Sequence, residues 1–425
     1  MGSRYSICFA VVLWAGAAGG FAQDRLVQGD PVLDRLIAEA VQNNPEIQAA
    51  EHEREAARQR IAPAGALDDP MLEAGVLSLP TTGRLDQEPM TMKMIGLAQR
   101  FPYPGKLRLR QDMAAREADA ASQNYREVVN RVVRDVKVAY YELAFVIESA
   151  HLVQRNIEIL EQFLKTAEAR YAVGEGQQAD VLKAQTQLAR MQDELIRLGR
   201  ERLVLEAELN RVLGRPRGAA PPRPEFPRLA EVALSLDALQ ETALMTRPRL
   251  LAIRSTIDRN ARAVDLAKLD YYPDFDVRFS YGQRDTLQGG LPQDDLVSLT
   301  VAVNLPLWRE SKRAPRVAEA AAMREQALSM YQNQVNEINA RLRQEVTNAR
   351  QSLQSARLYE TAILPQARLT VESALAAYKV NRVDFLTLLD NQMVVFNAEI
   401  ARAFAITSYY KALAEIELVA GKRMF

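Results

Sequence analysis

The chain has 425 residues, 48% of them hydrophobic, with 54 basic and 54 acidic side chains. That balance excludes both the basic footprint of a nucleic-acid binder and an acidic tail, so no nucleic-acid partner is expected. One cysteine, Cys8, and two histidines, His52 and His151, leave little for metal or catalytic chemistry.

The first element is an export signal. Arg4 supplies the positive start, Ile7 to Ala18 is an apolar run too short to span a bilayer, and Gly20-Phe21-Ala22 offers small residues at the positions a signal peptidase reads. Cleavage before Gln23 assigns residues 1–22 to the signal and leaves a chain with no cysteine, hence no disulfide and no thiolate site. No lipoprotein cleavage box precedes Cys8. His52 and His151 read as polar-face helix residues rather than ligands.

From residue 23 onward the chain repeats itself. Leu33-Asp34-x-Leu36 returns as Leu236-Asp237-x-Leu239, Pro45 as Pro248 and Pro70 as Pro273, each 203 residues later. Phe101-Pro102 is answered by Leu305-Pro306 at 204, and Arg170-Tyr171-Ala172-Val173-Gly174 by Ala377-Tyr378-Lys379-Val380-Asn381 at 207. The repeats are expected at 23–213 and 233–425, joined by a Pro/Gly-rich linker over 214–232 that cannot continue a helix. Each repeat should hold, in order, a helix (33–62; 236–269) broken near its start at Pro45 or Pro248, two strands, a very long helical pattern (106–173; 312–380) and a shorter helix (178–213; 384–420), closed by Gly214 and Gly421. The long patterns reach roughly 100 Å at 1.5 Å per residue, far beyond an ordinary globular helix. Ala139, Leu143, Val146, Ala150, Val153, Ile157 and Leu160 carry the spacing of a coiled coil. First and last helices of a repeat, stacked end to end, match the long one in length, as in the wall of a tube.

The strands alternate in the manner of a membrane barrel. Phe275, Val277, Phe279 and Tyr281 interleave with Asp274, Asp276, Arg278 and Ser280; Val297, Leu299, Val301, Val303 and Leu305 interleave with Ser298, Thr300, Ala302 and Asn304. In the second strand, Lys93 is expected on the lumen face with Asp276 and Arg278, because a lysine facing mid-bilayer lipid costs roughly 2–4 kcal/mol. Period two then turns Met90, Met92 and Met94 to lipid. The other reading of these thioethers is a soft-metal relay. Four strands cannot close a barrel and open edges are not tolerated in lipid, so the chain should assemble; three copies give twelve strands.

This order of elements, with Arg170-Tyr171-x-x-Gly174 followed by Asp180-Val181-Leu182-x-Ala184-Gln185 and the copy from Tyr378 to Gln392, resembles the TolC-type outer-membrane efflux channels. The fold class that follows is mainly α with a small transmembrane β part: a homotrimer with a twelve-stranded barrel in outer-membrane lipid and an α-barrel tunnel in the periplasm. The resemblance implies a passive conduit of a tripartite efflux system, served by a periplasmic adaptor (membrane fusion protein) and an inner-membrane RND-type pump. Gln99-Arg100-Phe101-Pro102-x-Pro104-Gly105-Lys106 is more similar to the heavy-metal branch, implying metal cations as cargo. The same channel could instead serve drug efflux or protein secretion, and a periplasmic adaptor is a further alternative. Carried over by position, Tyr171, Asp180, Tyr378 and Asp390 fall at the periplasmic gate, with Asp384 beside Val383 where the family carries a gate arginine. The tips, Val173, Gly174, Glu175, Gly176, Val380, Asn381 and Arg382, would dock the adaptor. No nucleophile motif, phosphate loop, bound metal or cofactor is expected, and the chain is not read as an enzyme.

Overall fold

The computed structural model describes residues 30–216, 218–220 and 222–425. The expected signal over 1–22 and its cleavage point lie outside the described residues.

Helix α1 (Pro31–Asn43) starts where Asp30 accepts the Val32 and Leu33 N–H groups, with Pro31 in the first turn. Asn44 breaks the expected first helix: its carboxamide oxygen caps α2 (Pro45–Gln59), and its NH2 donates to the Val212 carbonyl at 2.7 Å. A short α3 (Ile61–Gly65) leads to β1 (Met71–Leu77) and β2 (Met92–Phe101). The chain then enters α4 (Lys106–Ala172), 67 residues in one helix, and returns through α5 (Gln178–Val212). After the linker come α6 (Leu236–Thr246), α7 (Pro248–Leu269), β3 (Phe275–Gln283) and β4 (Leu296–Val303). A π-helical turn (Arg309–Arg313) opens α8 (Ala314–Leu358), a second π turn (Tyr359–Ile363) joins it to α9 (Leu364–Lys379), and α10 (Phe385–Ala420) closes the order.

The expected 312–380 helix is therefore interrupted where α4 is not. Pro365 in the first turn of α9 has no N–H to give, and the π turn just before it absorbs the missing ladder bond.

Helices α1, α2 and α3 pack along the first half of α4 and α5 along the second, so the short helices do stack end to end beside the long one. Helices α6, α7 and α10 do the same for α8, and α7 and α10 also lie against α4. Two glycines fix the junctions. Gly214 and Gly421 have φ of +68° and +74°, and each ends the return helix against the break between the first two helices of its half. A Cβ on Gly214 would stand 2.5 Å from the Asn43 carbonyl oxygen, and one on Gly421 2.6 Å from the Arg247 Cα. No other residue fits such an approach.

The core is three strips rather than one ball. One gathers Leu160, Phe163, Met191, Phe385 and Leu388 toward the turn between α4 and α5. A second surrounds Ile338, Leu342 and Tyr409, and a third Leu36, Val136, Tyr140 and Leu209. The linker is held against them by tyrosines. The Tyr409 hydroxyl accepts from Val232 N at 3.0 Å, and that of Tyr410 accepts from Ala230 N at 3.2 Å. Inside this body Lys137 and Glu417 form a buried ion pair, and the other Glu417 oxygen accepts the Met424 and Phe425 N–H groups.

The four strands make one antiparallel sheet in sequence order, with β1 and β4 as free edges.

Candidate functional site

Two regions hold the residues that sequence singled out: the sheet and the pair of turns at the far end of the helices.

Strand register sorts the sheet into two faces. Opposed residues of antiparallel strands point the same way. Lys93 pairs with Val76 and Gln283, Ile95 with Ala74 and Tyr281, and Leu97 with Leu72 and Phe279. Phe279 in turn faces Leu299. The opposite face carries Met94 beside Gly75 and Gly282, Gly96 between Glu73 and Ser280, and Arg100 opposite Asp276. Arg278 faces Thr300 there, and Ser280 faces Ser298. Asp276 and Arg278 thus share the polar face.

Lys93 does not join them, and the methionine reading falls with it. Lys93 lies on the apolar face, and Met92 and Met94 lie on the polar one. The cost assigned to Lys93 belongs to mid-bilayer. It stands one residue from the loop end of β2, where that cost falls to about 0–1 kcal/mol, and its ammonium reaches Asp285 of the β3–β4 loop at 3.0 Å. Met90 precedes the strand. Met92 is buried with its thioether over Gly282, where a Cβ would come within 2.5 Å of the sulfur. Small residues also let charges meet across the polar face: Glu73 and Arg278, two strands apart, pair at 3.2 Å over Gly96 and Ala98 of β2.

The segment Gln99–Lys106 has a structural job. Tyr103 N and the Lys106 ammonium both donate to Asp274 Oδ1, at 2.8 and 2.9 Å, and Lys106 reaches Asp270 at 3.2 Å. Tyr103 stacks on Tyr272 with ring centroids 4.6 Å apart. Burial works to raise the Asp274 carboxyl, but the Tyr103 N–H, the Lys106 ammonium and Arg100 outweigh it and hold it below the usual carboxylate range. The motif locks the sheet to the helices. Sequence reasoning missed Asp270 and Asp274 as its partners, because they lie in the other repeat.

At the far end, α4 meets α5 and α9 meets α10 through two similar turns. Gly174 and Asn381 both take left-handed backbone, at φ of +78° and +62°. After each, an N–H returns to a carbonyl of the last helical turn: Glu175 N to Arg170 O at 3.0 Å, and Arg382 N to Ala377 O at 2.9 Å. Asparagine thus serves where the first turn has glycine. Val173, Gly174, Glu175, Val380, Asn381 and Arg382 are exposed, and Gly176 is half-buried.

A groove of about 380 Å³ runs between the turns, lined by Arg170, Glu175, Asp180, Tyr378, Arg382 and Asp384. The Arg170 guanidinium lies 4.7 Å from the Tyr378 ring centre and donates to the Tyr378 carbonyl at 2.5 Å, tying the first turn to the second. Burial pushes the Tyr378 phenol up and the Asp180 carboxylate adds to the rise, against the pull of Arg170. Asp384 is spoken for: it caps α10 through Thr387 N at 2.9 Å, and the Thr387 hydroxyl and N–H hold its carboxyl low. Asp390 is exposed on α10 away from the groove, and Tyr171 is exposed while Tyr378 is buried. Arg170 was overlooked as a site residue although it stands next to the turn tyrosine. Its position in the second copy is Ala377, and that asymmetry was the available signal.

The described residues contain no group of three or more His, Cys, Asp or Glu arranged to hold a metal ion. The thioethers of buried Met191 and half-buried Met393 accept from the amides of Asn156 and Gln187, at 3.4 and 3.1 Å. No described helix is long and apolar enough to cross a membrane.

Residues 36–215 match the family model described as outer membrane efflux protein. That match covers the first of the two repeats. It is similar to the pyoverdine export outer membrane protein OpmQ of Pseudomonas putida, at 21% identity over 90% of this chain and 86% of the relative. It is also similar to the cobalt-zinc-cadmium resistance protein CzcC of Cupriavidus metallidurans, at 21% identity over 94% and 92%. Its fold is that of the outer membrane protein VceC of Vibrio cholerae, with a TM-score of 0.77, 18% identity and coverage of 92% and 97%. The protein is accordingly an outer-membrane efflux channel of the TolC type, with its helical body in the periplasm and a role in transport rather than catalysis.

Proposed function

We propose that the protein works as a homotrimer, a passive conduit that carries heavy-metal cations from an inner-membrane RND-type pump and a periplasmic adaptor to the outside. The observation that carries the conduit reading is the sheet: apolar on one face, charged on the other, and open at both β1 and β4. An open edge in lipid leaves backbone groups unsatisfied, and three copies joined β4 to β1 close twelve strands around a polar lumen.

Metal cargo is supported by the full-length likeness to a cobalt-zinc-cadmium resistance protein. Glu73, Asp276 and Met94 on the lumen face offer hard and soft donors without a tight cage, which suits passage rather than storage. In this reading Tyr171, Asp180, Tyr378 and Asp390 ring the periplasmic entrance, and the turn residues 173–176 and 380–382 meet the adaptor. Three copies of Asp180 at a constriction favour cations. The equal likeness to a pyoverdine exporter favours a second reading, the same conduit serving small organic molecules.

A growth panel on a strain lacking the protein separates them: cobalt, zinc, cadmium, copper and silver beside siderophores, dyes, bile salts and antibiotics. Sensitivity confined to metals and rescued by the wild-type gene is expected. Normal metal tolerance with sensitivity to organic compounds would remove the metal reading and keep the channel.

A further inference from the structure

Within one chain, the exit from the first strand pair is clamped onto the approach to the second. Pro102–Lys106 sits on Asp270–Asp274 through the Tyr103–Tyr272 stack and the Lys106 ion pairs. The internal repeat supplies a second segment in each of those two positions, with different groups: Tyr103 and Lys106 correspond to Leu307 and Glu310, and Tyr272 and Asp274 to Asp69 and Met71. After β4 the corresponding exit runs through Leu305, Leu307 and Trp308, which are 69%, 72% and 68% exposed. The corresponding approach and the start of β1 hold Leu67, Met71 and Leu72, at 44%, 61% and 72%.

We infer that the Leu305–Lys312 segment of one copy seats on the Leu67–Leu72 segment of the next copy, forming an intersubunit clamp at the base of the barrel. This rests on the trimeric reading above. Three observations support it. First, parity agrees. Moving the observed Phe101–Phe275 pairing by the repeat offsets sets Leu305 opposite Leu72 of the next copy, and Leu97–Phe279 becomes Val301–Val76, all on the apolar face. Second, charge agrees. The Asp68 and Asp69 carboxylates are exposed and make no ion pair among the described residues. Arg309 and Lys312, equally exposed, carry the opposite sign and outnumber the exposed Glu310 between them; among the described residues the Arg309 guanidinium has only the Tyr271 ring, 5.9 Å away. Third, these apolar side chains flank the two free edges, β1 and β4, so closing the edges brings the patches together. Phospholipid is the competing occupant of the same face.

The chain's other tryptophan, Trp14, lies in the expected signal, so mature protein reports on Trp308 alone. Two readouts are combined in outer-membrane vesicles. Differently tagged chains carrying Leu67→Cys and Trp308→Cys are co-expressed and treated with a short bismaleimide. A Val76→Cys and Val301→Cys mixture serves as the barrel-closure control. Separately, wild-type protein is reconstituted with phospholipid brominated near the headgroup and Trp308 emission is recorded. The clamp predicts a mixed cross-linked dimer from both cysteine mixtures and little quenching of Trp308. Asp69→Lys should reduce the junction cross-link several-fold, and adding Lys312→Glu should restore it. A control cross-link without a junction cross-link, together with strong quenching, would place lipid on Trp308 and overturn the clamp while leaving the trimer. Loss of both cross-links would remove the trimer and the clamp together.

Discussion

Lys106 and Asp274, 168 residues apart and in different repeats, meet at 2.9 Å where the sheet joins the helices. Both are largely withdrawn from solvent, so neither charge is easily left alone. Lys106→Met should destabilise the protein by on the order of 3 kcal/mol, seen as a lower unfolding midpoint in detergent micelles. Lys106→Met with Asp274→Leu should recover part of the loss, because no unpaired charge remains. A single variant as stable as wild type would show that the pair does not hold the junction.

The same aspartate sets a pH dependence. Its folded pKa lies below the unfolded value of 3.8. The unfolded state therefore binds its proton first as pH falls, and the stabilisation is complete above the unfolded value. It is lost below about pH 3.8, as pH drops through the folded pKa. Wild type should lose stability over that acid range more steeply than Asp274→Asn, as urea unfolding at a series of pH values would reveal.

Arg170 joins the two turns through the Tyr378 ring and carbonyl. Arg170→Ala removes both contacts and should loosen the tip without touching the sheet. Conductance in planar bilayers should rise several-fold, with unchanged trimer yield. Equal conductance for Arg170→Ala and wild type would deny the contact a role in closure.

The second turn depends on left-handed backbone at Asn381. Asn381→Gly should be tolerated, whereas Asn381→Val should cost about 1–2 kcal/mol locally. Hydrogen exchange at the turn would register the difference, and identical protection in the two variants would contradict it.

The faces of β2 can be read chemically, since the chain downstream of the expected signal has no cysteine. Met94→Cys should react with a membrane-impermeant maleimide, while Leu97→Cys and Phe279→Cys stay shielded by lipid. The reverse pattern would restore the methionines to the lipid face.

Much of this was legible along the chain. Repeat offsets, the proline breaks at Pro45 and Pro248, the glycines that end α5 and α10 and the alternation in β3 and β4 are local signals, each carried by backbone geometry or a period of two. Strand β2 was not legible in the same way. Lys93, Ile95, Leu97 and Gln99 alternate with Met92, Met94, Gly96 and Ala98, and both sets are mixed, so alternation alone gives no sign to the faces. Pairing with β3 decided it, because Leu97 must point the same way as Phe279. The partners of Arg170, Lys106 and Glu73 were hidden for the same reason. Each is met by a residue from a distant element: Tyr378, Asp274 and Arg278. A repeat read along the chain says which elements exist and in what order. Only their packing brings charges from different repeats within reach, because ion pairs depend on distance in space rather than separation in sequence.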